Sequence, residues 1–274
     1  CTANLPEPTI KKPDEQFKTV LYTGNATART IDSDFDTGFV WIKRRSGSGG
    51  SGSSSDAHAL ANSTVGADNF MMSNSSAVQN TANGCVTAFN STGVTIGTQG
   101  IVNDNSQTFV SWHWKESATA GFDVVTYSGN GNATHNVSHS LGVAPDLFIV
   151  KSRTNAQDWY VMHTASGANK YLVLSGNGAQ GTSTVLWGNT LPTSSVFTVG
   201  ENGGGWATNE SGEDYVAYLW ASVEGFSKIG TYTGNGSTDG PLIYTGFKPA
   251  WLMIRRTNDT GGWEIVDNKR DPFN

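Results

Sequence analysis

The feature that most constrains this chain is a short motif that returns at a fixed interval. The motif reads Tyr-x-Gly-Asn and occurs in LYTGNATARTI (21–31), TYSGNGNATHN (126–136) and TYTGNGSTDGP (231–241). Its tyrosines, Tyr22, Tyr127 and Tyr232, are spaced 105 residues apart in both steps. A spacing of that length is the size of a small domain, so the sequence predicts tandem copies of one domain. Gly and Asn accept backbone angles that branched residues avoid, which predicts a turn in each copy, with the tyrosine ring anchored to the core.

Further segments recur in step with this motif. FVWIKRR (39–45), LFIVKSR (147–153) and WLMIRRT (251–257) are continuous apolar runs that end in basic residues. Such a run is typical of a strand that is buried on both faces and then emerges into water. QTFVSWHW (107–114) likewise corresponds to EDYVAYLW (213–220). The repeat therefore extends over whole domains.

Composition gives the fold class. Charged residues are only 15% of the chain, and 33 glycines accompany many Ser, Thr and Asn residues. Short strands joined by such turns predict an all-β protein of tandem antiparallel β-sandwiches, jelly-roll or lectin-like in type. We expect these sandwiches to lie end to end as a rod, each enclosing its own hydrophobic core. The Gly/Ser-rich stretch from Arg44 to Ser63 predicts a mobile surface loop.

The predicted domain boundaries follow from the repeat. They are an extended, proline-containing linker (1–17), repeat 1 (18–120), repeat 2 (121–224) and the first half of repeat 3 (225–274). Half a sandwich cannot enclose a core and leaves strand edges bare. We therefore expect the other half either in a longer parent chain or in a neighbouring subunit that adds strands.

Charge and cysteine content narrow the function. The net charge is −6 and arises from scattered acidic residues, which offers no electrostatic support for a nucleic-acid partner. The sequence contains no run of about 18 apolar residues, so it does not predict a membrane-spanning helix. Cys1 and Cys85 are too few for a disulfide framework, and we interpret both as free thiols.

Two groups of residues are candidates for contacting glycans. The first is the basic strand ends, which could bind phosphate, sulfate or uronate groups if the repeats stack alike: Arg44, Arg45, Lys151, Arg153, Arg255 and Arg256. The simpler alternative is that these cations only solubilise strands leaving a core. The second group is Trp187 and Trp206, which lie among turn residues and could form an exposed platform for sugar rings. The tryptophans within predicted strands are expected in the core: Trp41, Trp112, Trp114, Trp220 and Trp251.

Metal binding and catalysis receive less support. Asp32, Asp34 and Asp36 alternate, so they could collect a calcium ion on one face, although three solvated acids are the simpler interpretation. His135 and His139 have no evident third zinc ligand, and His113 lies in an apolar strand, which favours a structural imidazole. The sequence contains no G-x-S-x-G, and no pair of acidic residues recurs between the repeats, so we predict that the protein is not an enzyme.

The motifs resemble a known group of proteins. The Tyr-Thr-Gly-Asn turn, FVWIK, VAYLW, TGFKPAWLMIRRT and DNKRDPFN are similar to repeated β-domains in long virion proteins of marine tailed phages, especially cyanophages. The opening CTANLPEPT is similar to the junction after a SPRY or concanavalin-like domain in those proteins. The resemblance implies a location on the phage particle, where members are described as tail-fibre-like. From the fold and the loops we predict a virion-surface appendage that attaches to host surface polysaccharide.

The same prediction includes partners and alternative functions. Expected partners are other virion proteins and further copies of the chain, with a trimer among the options. A structural or capsid-decorating protein without receptor binding is the alternative function, and a polysaccharide depolymerase is a lesser one. No cofactor is expected apart from the calcium considered above.

Overall fold

The computed structural model describes residues 8–46, 57–81, 84–201 and 208–270. Within these residues the chain is all-β and built from antiparallel sheets, which confirms the predicted fold class. Helical structure there is confined to a four-residue α-helix and two short 3-10 turns, Pro13–Glu15 and Thr164–Ser166. No helix in these ranges has the length and apolar character needed to cross a membrane.

The strands follow the repeat. Repeat 1 contains β1 (Phe17–Thr23), β2 (Arg29–Asp32), β3 (Phe39–Arg44), β4 (His58–Asn62), β5 (Asn69–Met72), β6 (Asn80–Thr81), β7 (Val86–Asn90), β8 (Gly93–Ile96), α1 (Gly100–Asn103) and β9 (Thr108–Trp114). Repeat 2 contains β10 (Phe122–Ser128), β11 (His135–Ser138), β12 (Leu147–Ser152), β13 (Tyr160–His163), β14 (Lys170–Val173), β15 (Gly181–Thr182), β16 (Val196–Val199) and β17 (Asp214–Trp220). Repeat 3 contributes the hairpin of β18 (Trp251–Arg255) and β19 (Trp263–Asp267).

The first two repeats share one topology. Each forms a six-stranded sheet, in the order β1-β9-β3-β4-β5-β6 in repeat 1 and β10-β17-β12-β13-β14-β15 in repeat 2. A smaller sheet accompanies each large one, β2-β8-β7 in repeat 1 and β11-β16 in repeat 2. Strand β7 therefore has no counterpart in repeat 2, where the corresponding segment is a loop.

Each repeat has an interior between its large and small sheets. In repeat 1, Val40, Ile42 and Phe109 from the large sheet share a buried cluster with Val94 and Ile96 from the small one. Repeat 2 has the same arrangement in a separate cluster, formed by side chains that include Phe148, Val150, Tyr215, Val137 and Phe197. These clusters are the sandwich cores predicted from the sequence.

A third apolar cluster joins the two repeats, which corrects the predicted end-to-end rod. The opposite face of the repeat 1 sheet presents Phe39 and Trp112, and these belong to one buried cluster with Ile149, Trp159 and Tyr218 of repeat 2. The rings of Phe39 and Tyr218 are 4.8 Å apart. The two large sheets thus pack face to face, and burial on both faces explains why their central strands are continuous apolar runs.

Repeat 3 completes this shared cluster from the side. Trp251, Met253, Trp263 and Ile265 of the β18–β19 hairpin pack against it as partly buried side chains. The ring of Trp251 is 5.4 Å from that of Trp114 in repeat 1. The hairpin is therefore part of the same packed body as repeats 1 and 2.

The structure also explains the Tyr-x-Gly-Asn motif. In repeat 2 the Tyr127 hydroxyl donates to the carbonyl of Thr208 at 2.6 Å, and the Asn130 N–H donates to the Asn209 side chain at 3.0 Å. Repeat 1 repeats both contacts, from Tyr22 to Val102 at 2.7 Å and from Asn25 to Asn103 at 3.0 Å. The motif thus ties the first strand of each repeat to the segment that precedes its last strand.

The Gly/Ser-rich loop prediction fails at one end. Residues 47–56 lie outside the described part of the chain, but His58–Asn62 forms β4, whose residues Ala59, Leu60 and Ala61 are buried. The apolar HALAN stretch is a central strand of the large sheet, and small side chains fit there because the sheet is covered on both faces.

Candidate functional site

The predicted tryptophan platform is not on the surface. Trp187 is 0% exposed, its ring packs edge-on against Phe148 at 5.0 Å, and its indole N–H donates to the carbonyl of Lys170 at 3.0 Å. The exposure predicted for Trp187 is therefore wrong, because the loop that carries it folds into the repeat 2 core. Trp206 lies outside the described residues. The core positions of the strand tryptophans are confirmed, with three buried and Trp220 and Trp251 half-buried.

Two of the predicted surface cations are buried. The Arg44 side chain is only 3% exposed, and it pairs with Asp104 at 3.1 Å. Lys151 is 0% exposed, its ammonium donates to the carbonyl of Ser76 at 3.1 Å, and burial lowers its pKa to about 8. Neither side chain is free to meet an anionic polysaccharide, because each is already held by protein groups.

The remaining cations are held separately. Arg153 donates to the Gln79 side chain at 2.7 Å, and Arg256 pairs with Asp259. Arg255 donates to the Gly178 carbonyl and lies over the Trp263 ring at 5.6 Å. Arg45 is exposed at the end of β3. The structure does not gather these cations into one anion-binding edge.

The three alternating aspartates are exposed, as the alternation predicted, but they do not converge. Asp34 pairs with Lys18, and Asp36 pairs with Lys115 at 2.7 Å. Asp32 accepts from the backbone N–H of Asp34 at 2.9 Å and so shapes its own turn. Within the described ranges no group of three or more His, Cys, Asp or Glu side chains is placed to share a metal ion. The geometry favours three solvated acids over a calcium site.

The histidines and Cys85 have structural positions. His135 contacts the Asn209 side chain at 2.9 Å, whereas His139 contacts the Thr193 carbonyl at 3.1 Å, so the two rings serve different partners. His113 is fully buried between two hydroxyl groups, and burial lowers its pKa to about 3. Cys85 is a buried free thiol, as predicted, and Cys1 lies outside the described residues.

An open cleft of about 500 Å³ lies where the rim of repeat 1 meets repeat 2. We call it the polar cleft, and the side chains that define it are Asp36, Phe89, Asn90, Glu116, Ser117 and Ser140. It combines one aromatic ring with carboxylate, amide and hydroxyl groups. Phe89 is partly buried against the repeat 1 core, and the polar groups around it can donate or accept hydrogen bonds.

Local structure explains how these side chains meet. Asp36 lies between β2 and β3, and Glu116 follows directly after β9. Phe89 and Asn90 end β7, the strand that repeat 2 lacks. A Cβ atom at Gly38 would lie 2.4 Å from the Glu116 Cβ, so only glycine at position 38 lets the chain carrying Glu116 approach.

The two carboxyl groups of the polar cleft have different partners. Asp36 is held by the Lys115 ammonium. Partial burial raises the pKa of Glu116, while the Thr64 hydroxyl, which donates to its Oε2 at 3.2 Å, opposes that rise, and Asp123 adds to it. Glu116 is therefore a half-buried carboxyl that already accepts from Thr64 and lies beside an acidic neighbour, a setting that disfavours an anionic ligand.

Sequence reasoning missed most of this cleft. The search for acidic residues that recur between the repeats does not find Glu116, because a site present in one repeat needs no such recurrence. The usable signal was the difference between the repeats, since CVTAFNST (85–92) has the alternation of a strand where repeat 2 has LWGNTLPTSS (186–195).

A second cleft, of about 420 Å³, lies at the junction of the three repeats. Trp41, His58, Asn74, Asn177 and Trp263 are among its lining residues. The Trp41 indole N–H donates to His58 Nδ1 at 2.8 Å, and burial lowers the pKa of His58 to about 4. Because the Trp41 ring is only 3% exposed, this junction cleft offers a ligand less aromatic surface than its composition suggests.

Comparison with known proteins identifies a family. A family model described as "Domain of unknown function (DUF7483)" matches residues 12–274. No match is found among curated proteins or among solved structures.

Proposed function

The chain belongs to the DUF7483 family, a domain of unknown function, and we propose that it is a virion appendage protein of a tailed phage that attaches to host surface glycans through the polar cleft. The all-β fold and the resemblance of its motifs to those of phage virion proteins support this proposal. In it the protein is located on the virion surface, contacts other virion proteins, and acts without catalysis.

The observation that carries the proposal is the pairing of Phe89 with Asn90, Asp36 and Glu116 in one open cleft. An aromatic ring stacks on the apolar C–H face of a sugar, and neighbouring carboxylate and amide groups bond its hydroxyls. Since Asp36 and Glu116 line the cleft and none of the recurring cations does, the ligand is a neutral saccharide. This replaces the phosphate, sulfate or uronate groups that the sequence predicted.

Many copies of a weak saccharide site on one particle are sufficient for attachment. A cleft with one aromatic ring and a few polar groups binds a monosaccharide weakly, but many copies on one particle act together. We therefore place the protein in a homo-oligomer on the virion, a trimer among the options. No anion-binding edge or metal ion is needed for this mode of attachment.

The test is saccharide binding by variants of the cleft. We expect Asn90→Ala and Glu116→Gln each to weaken binding to purified neutral host polysaccharide by about tenfold, the usual effect of removing one polar contact. Glu224→Gln is the matched control, because Glu224 is exposed and lies outside the cleft. Thermal unfolding of each variant separates lost binding from lost fold.

Three outcomes contradict the proposal. Equal binding by all three variants would exclude the polar cleft, and binding of anionic polysaccharide alone would exclude a neutral ligand. Binding of virion proteins without any saccharide would favour the structural alternative. New reducing ends in the same sample would favour the depolymerase.

One observation favours the structural alternative specifically. Repeat 3 exposes large apolar side chains, including Leu242 at 95% and Tyr244 at 79%. Exposed apolar surface of this kind is typical of an interface with another protein.

A further inference from the structure

Glu116 and Asp123 are neighbours across the connection between repeats 1 and 2. Ser117 and Phe122 form a β-bridge there, and the N–H of each donates to the carbonyl of the other, at 3.0 and 3.1 Å. Glu116 and Asp123 flank this bridge, so they are the next pair along the two antiparallel segments. The side chains of such a pair lie on one face, with Cβ atoms about 5 Å apart. The two carboxyl groups therefore face each other.

Asp123 does not line the polar cleft, but it contacts side chains that do. It is only 4% exposed, and its Oδ2 accepts from the backbone N–H and the hydroxyl of Ser140 at 2.6 and 2.9 Å. Two donors on one oxygen are the contacts of a carboxylate, which only accepts hydrogen bonds. Both Ser140 and Glu116 line the cleft. A buried carboxyl group thus lies directly behind two residues of the cleft.

The groups around Glu116 act on its ionisation in opposite directions. Partial burial raises its pKa most. The Thr64 hydroxyl donates to Oε2 at 3.2 Å and lowers the pKa, and the backbone N–H of Val124 acts in the same direction. The negative charge of Asp123 and its hydrogen bond to Glu116 both raise the pKa again. The net result is a pKa above the ordinary value of 4.5.

The other charged side chains near Glu116 are Asp36 and Lys115. Asp36 lines the cleft, and its Oδ1 lies 2.7 Å from the Lys115 ammonium. Because the opposite charges of this ion pair are close together, they largely cancel at Glu116. Asp123 is therefore the charge that most affects the ionisation of Glu116.

The equivalent connection between repeats 2 and 3 has no such acid pair. The bridge there joins Val223 and Ser227, and the flanking residues are Ser222 and Lys228. Like charges that face each other across two antiparallel segments are destabilising, so the fold alone does not favour two acids at this position. The acid pair is present where the connection borders the polar cleft and absent where it does not.

Protonation of Glu116 removes the acceptor that a saccharide needs. A carboxylate accepts hydrogen bonds from hydroxyl groups, and such charge-assisted bonds are about twice as strong as neutral ones. A protonated Glu116 directs its O–H to Asp123, and its remaining oxygen accepts from Thr64. The proton and the ligand therefore compete for Glu116.

We propose that Asp123 is a positioning residue that controls the polar cleft through Glu116, so that the cleft binds its saccharide when Glu116 is ionised and releases it on acidification. This inference rests on the proposed attachment to glycans and adds the condition under which attachment ends. Glu116 contacts the ligand, whereas Asp123 and Thr64 act only through Glu116. Asp123 moves the release to higher pH, because its charge opposes the ionisation of Glu116, and the Thr64 hydroxyl moves it to lower pH.

The test compares two titrations between pH 4 and 8. One follows binding of purified neutral host polysaccharide, and the other follows the side-chain carboxyl carbon of Glu116 by NMR without ligand, identified by the loss of its signal in Glu116→Gln. We expect the affinity to fall by up to tenfold per pH unit below the pKa of Glu116. Asp123→Asn removes the negative charge and offers an amide N–H to Glu116, so both midpoints should move to lower pH. Thr64→Val removes the hydroxyl donor, so both midpoints should move to higher pH.

Asp146→Asn is the matched control. Asp146 also accepts from the backbone N–H of a serine, Ser222, at 2.8 Å, but it lies outside the cleft. Its midpoints should equal those of the parent protein. Thermal unfolding at each pH shows which variants keep the native fold, and the shift in Thr64→Val decides the proposal if Asp123→Asn does not fold.

Four outcomes are decisive. Opposite shifts in Asp123→Asn and Thr64→Val, seen in both titrations, would support the inference. Equal midpoints in these variants and the parent, or saccharide binding that stays constant while Glu116 titrates, would each overturn it and leave the proposed function intact. Shifted NMR midpoints without saccharide binding at any pH would instead overturn the proposed function, and the control of binding with it.

Discussion

Replacing the glycine of the Tyr-x-Gly-Asn motif by alanine should destabilise the protein in repeats 1 and 2 but not in repeat 3. At Gly129 in repeat 2, a Cβ atom would lie 2.1 Å from the carbonyl oxygen of Glu210 and 2.8 Å from the carbonyl carbon of Asn209. Gly24 in repeat 1 has the same clash, 2.1 Å from the carbonyl oxygen of Asp104. At Gly234 the added atom would meet nothing within 4 Å. We therefore expect Gly129→Ala and Gly24→Ala to destabilise the protein and Gly234→Ala to leave it unchanged.

The loss in the free energy of unfolding can be estimated from the backbone movement that the added Cβ atom requires. The two backbone segments have to separate by about 1 Å, and overpacking of this kind costs about 1–3 kcal/mol. The movement also weakens the bonds from Gly129 N–H to Glu213 O at 2.8 Å and from Asn130 N–H to the Asn209 side chain at 3.0 Å. Each such bond contributes about 1 kcal/mol. Alanine recovers about 0.4–1 kcal/mol by restricting the unfolded chain, so a net loss of about 3 kcal/mol is expected.

Urea unfolding followed by tryptophan fluorescence measures this loss directly, and thermal unfolding should show a fall in Tm of about 6 °C or more. Gly234→Ala should stay within about 0.5 kcal/mol of the parent protein. The reasoning is refuted if Gly234→Ala loses as much stability as Gly129→Ala, or if both Gly24→Ala and Gly129→Ala are neutral. The first result would mean that the third motif is packed like the others.

Three further predictions concern buried groups. His113 has a folded pKa of about 3 against 6.5 when unperturbed, so the unfolded state alone takes up a proton below pH 6.5. His113 should contribute a fall in stability of about 1.4 kcal/mol per pH unit as the pH drops below 6.5. His58 contributes a similar slope, so His113→Gln should reduce the total slope by about 1.4 kcal/mol per pH unit in urea titrations between pH 6 and 5 and leave the share of His58. In a Cys1→Ser background, Cys85 should react with a thiol reagent only after unfolding, because burial raises its pKa and excludes the reagent; rapid reaction of the native protein would contradict this. Trp263→Ala removes the indole bond to the Val173 carbonyl and should cost about 3 kcal/mol. Hydrogen exchange should then rise in residues 251–267 while the sheets of repeats 1 and 2 stay protected.

The sequence was sufficient to predict the repeated fold. The 105-residue spacing, the apolar runs and the Gly/Asn turns are local signals, and each corresponds to a feature that recurs at Tyr22 and Tyr127 in the structure. The function of the tyrosine as an anchor followed from the same signals. Such features are predictable because backbone angles and strand burial depend on residues close together in the chain.

The packing between repeats could not be predicted from these signals. A continuous apolar strand such as FVWIKR shows that both faces are covered but does not identify the element that covers the second face. In this protein the second face of each large sheet is covered by the other repeat. That information lies in the shapes of Phe39, Trp112 and Tyr218 and in their pairing across more than 100 residues.

The candidate site was predicted least well. Trp187 looked exposed because it lies among turn residues, just before Gly188 and Asn189, and Lys151 looked exposed because it ends an apolar run, yet tertiary contacts bury both. Trp187 donates to the carbonyl oxygen of Lys170, and Lys151 donates to that of Ser76. The polar cleft was missed for the converse reason, since Glu116 belongs to repeat 1 alone and the comparison of repeats favoured residues that recur.

Because the three repeats belong to one polypeptide, their amino-acid sequences can differ from one another. Separate, identical subunits must carry the same amino acid at every equivalent site. Here the residues paired with the first residues of β3, β12 and β18 are Asn62, His163 and Asp267. Asn62 bonds to Tyr218 of repeat 2, and Asp267 bonds to Trp112 of repeat 1. Each interface between repeats can therefore evolve its own contacts, and a site such as the polar cleft beside β7 can arise once per molecule. Because the repeats belong to one polypeptide, dilution does not dissociate the interfaces between them.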